Sequence, residues 1–266
     1  MSDKLSINFK NIEAFKSIKP ESIQAIKNSA KAIRYEIGMP ICDKGIGLPD
    51  QVVIIISGEA RIIQRKNEGI DLSQKLDINS FIGLASILRQ ESCETVSAST
   101  ELIGLAIPDK IIYELYKNES GFREWCNCTI FESEILELSN HLYQNSSHKK
   151  SEISLKDLNK ILSKELILKI LNNGDLLKNN TSVMNIIGSS NVQDAQLFDT
   201  FNEKEVTTLG SFPARIFQIN ESTLNKIIEK RLNSINKDSI KNEKVFTVNE
   251  VSKGEPLSSS AIANDH

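Results

Sequence analysis

The sequence predicts an α+β chain: a jelly-roll-like β-roll with flanking helices, followed by a smaller second α+β lobe. Three observations predict it. Residues 31–107 carry many short apolar runs, each bounded by a glycine turn, as in barrels and rolls. From residue 108 the apolar period changes to three and four, the helical spacing. After a polar stretch at 144–154 a second, shorter alternation of helical and strand-like pieces begins. A chain of 266 residues accommodates two domains of ordinary size.

Taken in order, residues 8–30 carry a helix. Pro20 suits its first turn, Glu21 favours the helix dipole, and Ile23, Ile26 and Ala30 lie on one face. A first strand is expected at 31–37, a turn at Gly38 and Pro40, and a short strand at Ile41-Cys42. Residues 43–49 are a loop with two glycines. Val52 to Ile56 reads as a fully buried strand, Ser57-Gly58 turns it, and 60–64 continues the hairpin. Asn67-Glu68-Gly69 is another turn, and 74–78, 95–98 and 102–107 supply the remaining strands.

The stretch 81–98, FIGLASILRQESCETVSA, is the candidate functional element. Gly83 supplies a turn, 84–88 a short helix, 89–94 a polar loop, and Thr95-Val96 re-enters strand sequence. A tight glycine turn feeding a short helix presents free backbone N–H groups, which attract phosphate.

Downstream, Ile111, Ile112, Leu115 and Tyr116 fit a short helix after Pro108. Phe122, Trp125, Cys128, Phe131, Ile135, Leu138 and Leu142 then step by three and four, a helical seam of nearly three heptads. Self-association through 122–142 is one use of that seam; packing back onto the chain's own roll, or onto the second half, is the other. Glu132, Glu134 and Glu137 read as a solvated face of this helix. Leu155, Leu158, Ile161, Leu162, Leu166 and Ile170 read as one amphipathic helix closed by Asn172-Asn173-Gly174. Strand-like pieces follow at 182–187, 195–201 and 206–209, then FPARIFQINESTLNKIIEKRL at 212–232. That last piece echoes LAIPDKIIYELYKN, and VMNIIGSS at 183–190 echoes VVIIISGE at 52–59. Residues 151–234 therefore read as a shrunken, degenerate second copy of the first module. Residues 235–266, poor in aromatics, read as a disordered tail.

The pieces YEIG at 35–38, ICDKG at 41–45, PDQVVIIISGEARII at 49–63, SFIGLASIL at 80–88 and ETVSAST at 94–100 together resemble the cyclic nucleotide-binding domain over residues 8–143. The resemblance makes Phe81, Gly83, Leu84, Ala85, Arg89, Ser92 and Cys93 the degenerate phosphate cassette. It also locates a departure. Ligand-binding members carry a glutamate after the turn glycine and an arginine before the Thr-Val run; here Leu84 and Ser92 (or Glu91) stand there. Each charge-assisted bond contributes roughly 1.5–3 kcal/mol, so losing both costs on the order of a hundredfold or more in affinity. Arg89 is the only nearby cation, and it reads as a solvated loop arginine that could alternatively swing into the pocket.

Within that family, FIGLASILRQESCETVSASTELIGLAIP looks like the N-terminal region of cyanobacterial peptidase-containing export transporters of the ATP-binding cassette (ABC) type, including an apolar residue after the turn glycine and a Cys-Glu pair before Thr-Val. The resemblance implies a non-catalytic sensor or regulatory module that acts on, or derives from, such an ABC-type exporter. The alternative is a cyclic nucleotide-responsive transcription regulator of the catabolite activator type, with a helix-turn-helix beginning at 155–171. A formal charge of −3 counts against DNA, whose affinity is dominated by phosphate contacts. No nucleic acid partner is expected.

Other chemistry is missing from the sequence. There is no G-x-x-x-x-G-K-[ST] loop, and Ser57-Gly58-Glu59 lacks the glycine a nucleophile elbow requires. His141, His148 and His266 are scattered and read as solvated, so no metal is expected. No cofactor is expected either, a cyclic nucleotide being the one ligand the resemblance raises. Cys42, Cys93, Cys126 and Cys128 form no disulfide framework, and Cys126 and Cys128 should face different ways. The start MSDKLSINFK is polar, and no apolar run reaches the roughly 18–20 residues of a membrane helix. The expectation is a cytoplasmic chain without membrane insertion.

Overall fold

The computed structural model describes residues 7–66, 69–145, 154–177, 182–201 and 204–223. The proposed turn at 67–68, most of the 144–154 linker, His148, the helical continuation of 212–232 and the 235–266 tail lie outside them.

Two short 3-10 turns, Phe9–Asn11 and Glu13–Phe15, lead into α1 (Pro20–Ser29), with Pro20 at its first turn. The roll follows as β1 (Lys31–Tyr35), β2 (Pro40–Cys42), β3 (Gln51–Ser57), β4 (Ala60–Lys66), β5 (Gly69–Leu76) and β6 (Phe81–Ile82). After α2 (Leu84–Arg89) it closes with β7 (Val96–Ala98) and β8 (Leu102–Pro108). Two antiparallel four-stranded sheets result, β1-β8-β3-β6 and β2-β7-β4-β5. Their facing sides enclose Tyr35, Val53, Ile55, Ala60, Ile62, Val96 and Leu102. Val52 and Ile54 point the other way, into a second core with α1, α3 (Asp109–Asn118) and α4 (Ser120–Cys128). Strand β3 is apolar without alternation because both of its faces are covered.

The helical seam 122–142 is not one helix. It is α4 and α5 (Glu132–Asn145), separated by the corner 129–131. The Thr129 hydroxyl donates to Trp125 O at 2.7 Å, and the Glu134 carboxylate accepts from Phe131 N at 2.8 Å. The corner lets α4 bury Phe122 against the roll while α5 carries Ile135 and Leu138 to the second lobe. The apolar period is the same on both sides of the bend, which is why it reads as continuous.

Residues 155–171 are likewise not one helix. Helix α6 (Leu155–Glu165), capped by the Ser154 hydroxyl on Asp157 N, stops at an extended Leu166. β9 (Ile167–Leu171) then pairs with β14 (Ala214–Asn220). ILKIL alternates as well as it steps by four, and pairing with β14 decides between the two. The Asn172-Asn173-Gly174 segment turns β9 into β10 (Asp175–Leu177) rather than closing a helix. β11 (Val183–Ile187) falls where a strand was expected. Of 195–201 only β12 (Thr200–Phe201) is strand, and β13 is Lys204–Val206. No helix-turn-helix forms at 155–171, since a strand follows α6.

The second lobe repeats the wiring of the first. Its main sheet runs β9-β14-β11-β12, as the first runs β1-β8-β3-β6, and β10 pairs β13 as β2 pairs β7. Smaller details repeat too. Gly38 N donates to Ala98 O and Gly174 N to Val206 O, each glycine at φ 82°. Asn79 N donates to Ile55 O and Phe198 N to Ile187 O, both donors at positive φ. Among the described residues the copy departs from the original in two places. Only residues 202–203 separate β12 from β13, whereas α2 and its loop separate β6 from β7. The isolated bridge Val192–Thr208 stands where the β4–β7 pairing stands in the first lobe.

Gly58 ends β3 at φ 84°, and a Cβ there would lie 2.3 Å from Glu101 O, which is backbone and cannot move aside. Gly58→Ala is expected to lower stability by at least about 2 kcal/mol, read as a shifted urea midpoint with unchanged slope.

Candidate functional site

The α2 element brings all the cassette residues together, but most of them face inward. Gly83 caps α2 in the left-handed region at φ 89°. Leu84, Ala85 and Arg89 are fully buried, and Phe81, Ser92 and Cys93 nearly so. Leu84 joins the core between sheet and helices, so the position after the turn glycine is a packing residue here.

The backbone donor at the turn is taken. Gly83 N donates to the carboxylate of Glu94, which also accepts from the Ser86 hydroxyl at 3.4 Å and the Ser133 hydroxyl at 3.1 Å. Ser133 belongs to α5, so this carboxylate ties the glycine turn to the helical corner. Burial pushes the Glu94 carboxyl up to about 7; the donors from Gly83, Ser133 and Ser86 pull the other way. A cavity of 190 Å³ lies beside it, lined by Ile62, Leu76, Phe81, Trp125, Glu94 and Glu132 among others. Its charged lining residues are both acids. Its volume is below the roughly 300 Å³ at which small-molecule pockets usually begin. The oxygens of Glu94 thus occupy backbone and side-chain donors that a bound anion would use.

Arg89 is not a solvated loop residue. Its side chain is fully buried, and Nε donates to Gly188 O at 2.7 Å across the lobe boundary. Nη1 donates to Glu137 at 2.7 Å, and the guanidinium lies over the Phe198 ring at 5.5 Å. Arg89 O accepts from Ser190 N at 2.9 Å, and Gln90 O from the Ser190 hydroxyl at 2.6 Å. The cation that could have turned toward a phosphate is held against the second lobe, with Nη2 buried and without a hydrogen-bond partner among the described residues.

Arg215, on β14, makes the reciprocal contact. Its Nε and Nη2 form a two-pronged pair with Glu134, both at 2.7 Å. Nη1 donates to Cys126 O at 3.0 Å and Nη2 to Thr129 O at 2.7 Å, satisfying carbonyls at the end of α4. Glu134 and Glu137 are therefore buried and paired rather than a solvated face; Glu132 is half-buried. Burial pushes the Glu137 carboxyl up, but Arg89 and Lys44 outweigh it and hold it below the ordinary carboxylate value. His141 is half-buried rather than solvated, its ring 4.8 Å from that of Phe198, and burial lowers its pKa. Cys126 is buried and Cys128 exposed, facing different ways. Among the described residues no group of acids, histidines and cysteines could hold a metal, and no helix is long and apolar enough to cross a membrane.

Sequence reasoning missed the roles of Glu94 and Arg215. Glu94 had a signal: it is an acid between Cys93 and Thr95-Val96, where the sequence re-enters a strand. Arg215 had one too, as a lone cation beside the apolar pair Ile216-Phe217 at the start of a strand.

No family model matches the chain, and no curated protein matches it. Solved structures similar to it include cAMP-bound PfPKA-R, at 16% identity and TM-score 0.39 over 88% of each chain. The regulatory domain of Toxoplasma gondii PKA, co-crystallised with cAMP, is 10% identical with TM-score 0.40 over 88% of this chain and 94% of that one. The Thermus thermophilus catabolite activator protein is 18% identical with TM-score 0.35 over 50% and 59% respectively.

Arg215→Met leaves Glu134 as an unpaired buried carboxylate and is expected to cost about 3–5 kcal/mol, part of which Glu134→Gln in the same chain restores. Urea titration of the two variants checks this. A carboxyl raised from 4.5 to about 7 stays protonated in the folded chain while the unfolded chain ionises. The stability linked to Glu94 is therefore complete below pH 4.5 and lost as pH rises through 7, by about 3 kcal/mol. Urea titrations between pH 4 and 8 should show this extra slope in the wild type and not in Glu94→Gln.

Proposed function

We propose that the chain is a non-catalytic regulatory module built on a cyclic nucleotide-binding type of roll whose anion cradle is closed from within. The single observation that carries the reading is the Glu94 carboxylate seated on Gly83 N and Ser86. An incoming cyclic phosphate would have to displace it, and above pH 7 would meet its charge. The positions at which the resemblance puts the sugar and phosphate anchors hold Leu84 and Ser92, both buried. Arg89, the nearby cation, is committed to Gly188 and Glu137. In this role the roll transmits position rather than chemistry, and its partner is an ABC-type exporter, the class to which the 81–108 motif is similar.

Isothermal titration calorimetry with cyclic AMP and cyclic GMP is expected to give heats indistinguishable from dilution into buffer. Saturable micromolar binding of either nucleotide would overturn the closed-cradle reading. For the partner, the chain should co-purify with a co-expressed peptidase-containing exporter; failure to do so removes the exporter but not the closed cradle.

A further inference from the structure

A larger cavity lies outside the roll. It is a cleft of 810 Å³ where α3 and α4 of the first lobe meet the β9–β10 turn and the 208–213 loop of the second. That volume lies within the range of small-molecule sites, which favour the seams between domains.

Several of the polar groups lining the cleft keep donors that their internal bonds do not use. Asn127 Oδ1 accepts from the Tyr116 hydroxyl at 2.7 Å, so its amide N–H groups are not engaged by that bond. Asn173 Oδ1 accepts from Thr208 N at 3.0 Å, with the same result. The Tyr113 hydroxyl accepts from Gln90 at 3.2 Å and keeps its own proton to give. Arg123 uses only Nη1, on the carbonyls of Tyr116 and Lys117 at 3.1 and 2.9 Å; Nε and Nη2 take no part. Asn172 and Tyr116 are exceptions: the Asn172 amide is engaged by Asp175, and the Tyr116 hydroxyl gives its proton to Asn127. Two cations, Lys117 and Arg123, stand against one carboxylate, Glu114. Ile170, Pro213 and the half-buried ring of Tyr113, set 5.0 Å from Phe212, provide an apolar wall.

Donors, an excess of positive charge and a flat apolar wall select an acceptor-rich anion attached to an apolar ring. We propose that this inter-lobe cleft binds a small organic anion of that class, its anionic group held by Lys117, Arg123 and Asn127 and its ring lying against Tyr113 and Pro213. Because the walls come from both lobes, an occupant stabilises their docking against each other.

The test is calorimetric titration of the full chain with phenyl phosphate as probe and inorganic phosphate as the ringless control. Two variants read the site. Lys117→Glu reverses an exposed charge. Asn127→Asp is isosteric, keeps the acceptor for Tyr116 and replaces the free amide by a repelling oxygen. The expected result is saturable binding of phenyl phosphate, weaker for inorganic phosphate, reduced about tenfold or more in each variant and unchanged in Glu94→Gln. Should Asn127→Asp fail to fold, Lys117→Glu decides alone. No saturable binding at millimolar phenyl phosphate, equal affinity for the two probes, undiminished affinity in Lys117→Glu, or tighter binding in Glu94→Gln would each overturn the proposal. The last outcome would place the ligand in the roll and so would also count against the closed cradle.

Discussion

Two glutamates three residues apart on α5 each meet a buried arginine, and the arginines come from different lobes. Glu137 pairs with Arg89 at the end of the first lobe's α2, and Glu134 pairs with Arg215 on the second lobe's β14. Desolvating four charges is costly unless every partner is in place. The pairs therefore form only when both lobes lie against α5 in one arrangement, and the second lobe's cores at β11 and β14 follow from that placement. Here the buried pairs act as register more than as a source of net stability.

The same geometry bears on the cassette. A loop arginine can serve a ligand only if it is free to face the pocket, and Arg89 is directed instead at Gly188 O and Glu137. On the other side of α2, Glu94 turns inward to the glycine amide. One short helix thus has its cation engaged outward to the second lobe and its anion-attracting end occupied by the chain itself. The C-terminal end of α2 is thereby part of the joint between the lobes.

The second lobe shows which parts of the module carry its architecture. Strand order, the two positive-φ turns and the closing pairs are kept, while the α2 cassette has no counterpart between β12 and β13. The order of the main sheet survives such a deletion because its two central strands, β11 and β14, keep antiparallel neighbours on both sides, so their backbone groups stay paired. Phe212 crosses back to pack on Tyr113 and Tyr116, which joins the copy to the original.

The chain's local patterns determined a good deal by themselves. Val52 to Ile55 forms a strand covered on both sides, Gly83 makes the turn into a short helix, and Ile111, Ile112, Leu115 and Tyr116 face one core, because period and turn chemistry act over a few residues. Tertiary structure decided the rest. The bend at 129–131 and the switch from helix to strand at Leu166 occur in sequences compatible with either state, and only β14 and the two cores select one. The buried charges are the clearest case. Glu134, Glu137 and Arg89 are ordinary surface residues by local pattern, and they are buried because each one's counter-charge arrives from a distant part of the chain, a pairing that neighbouring residues do not encode.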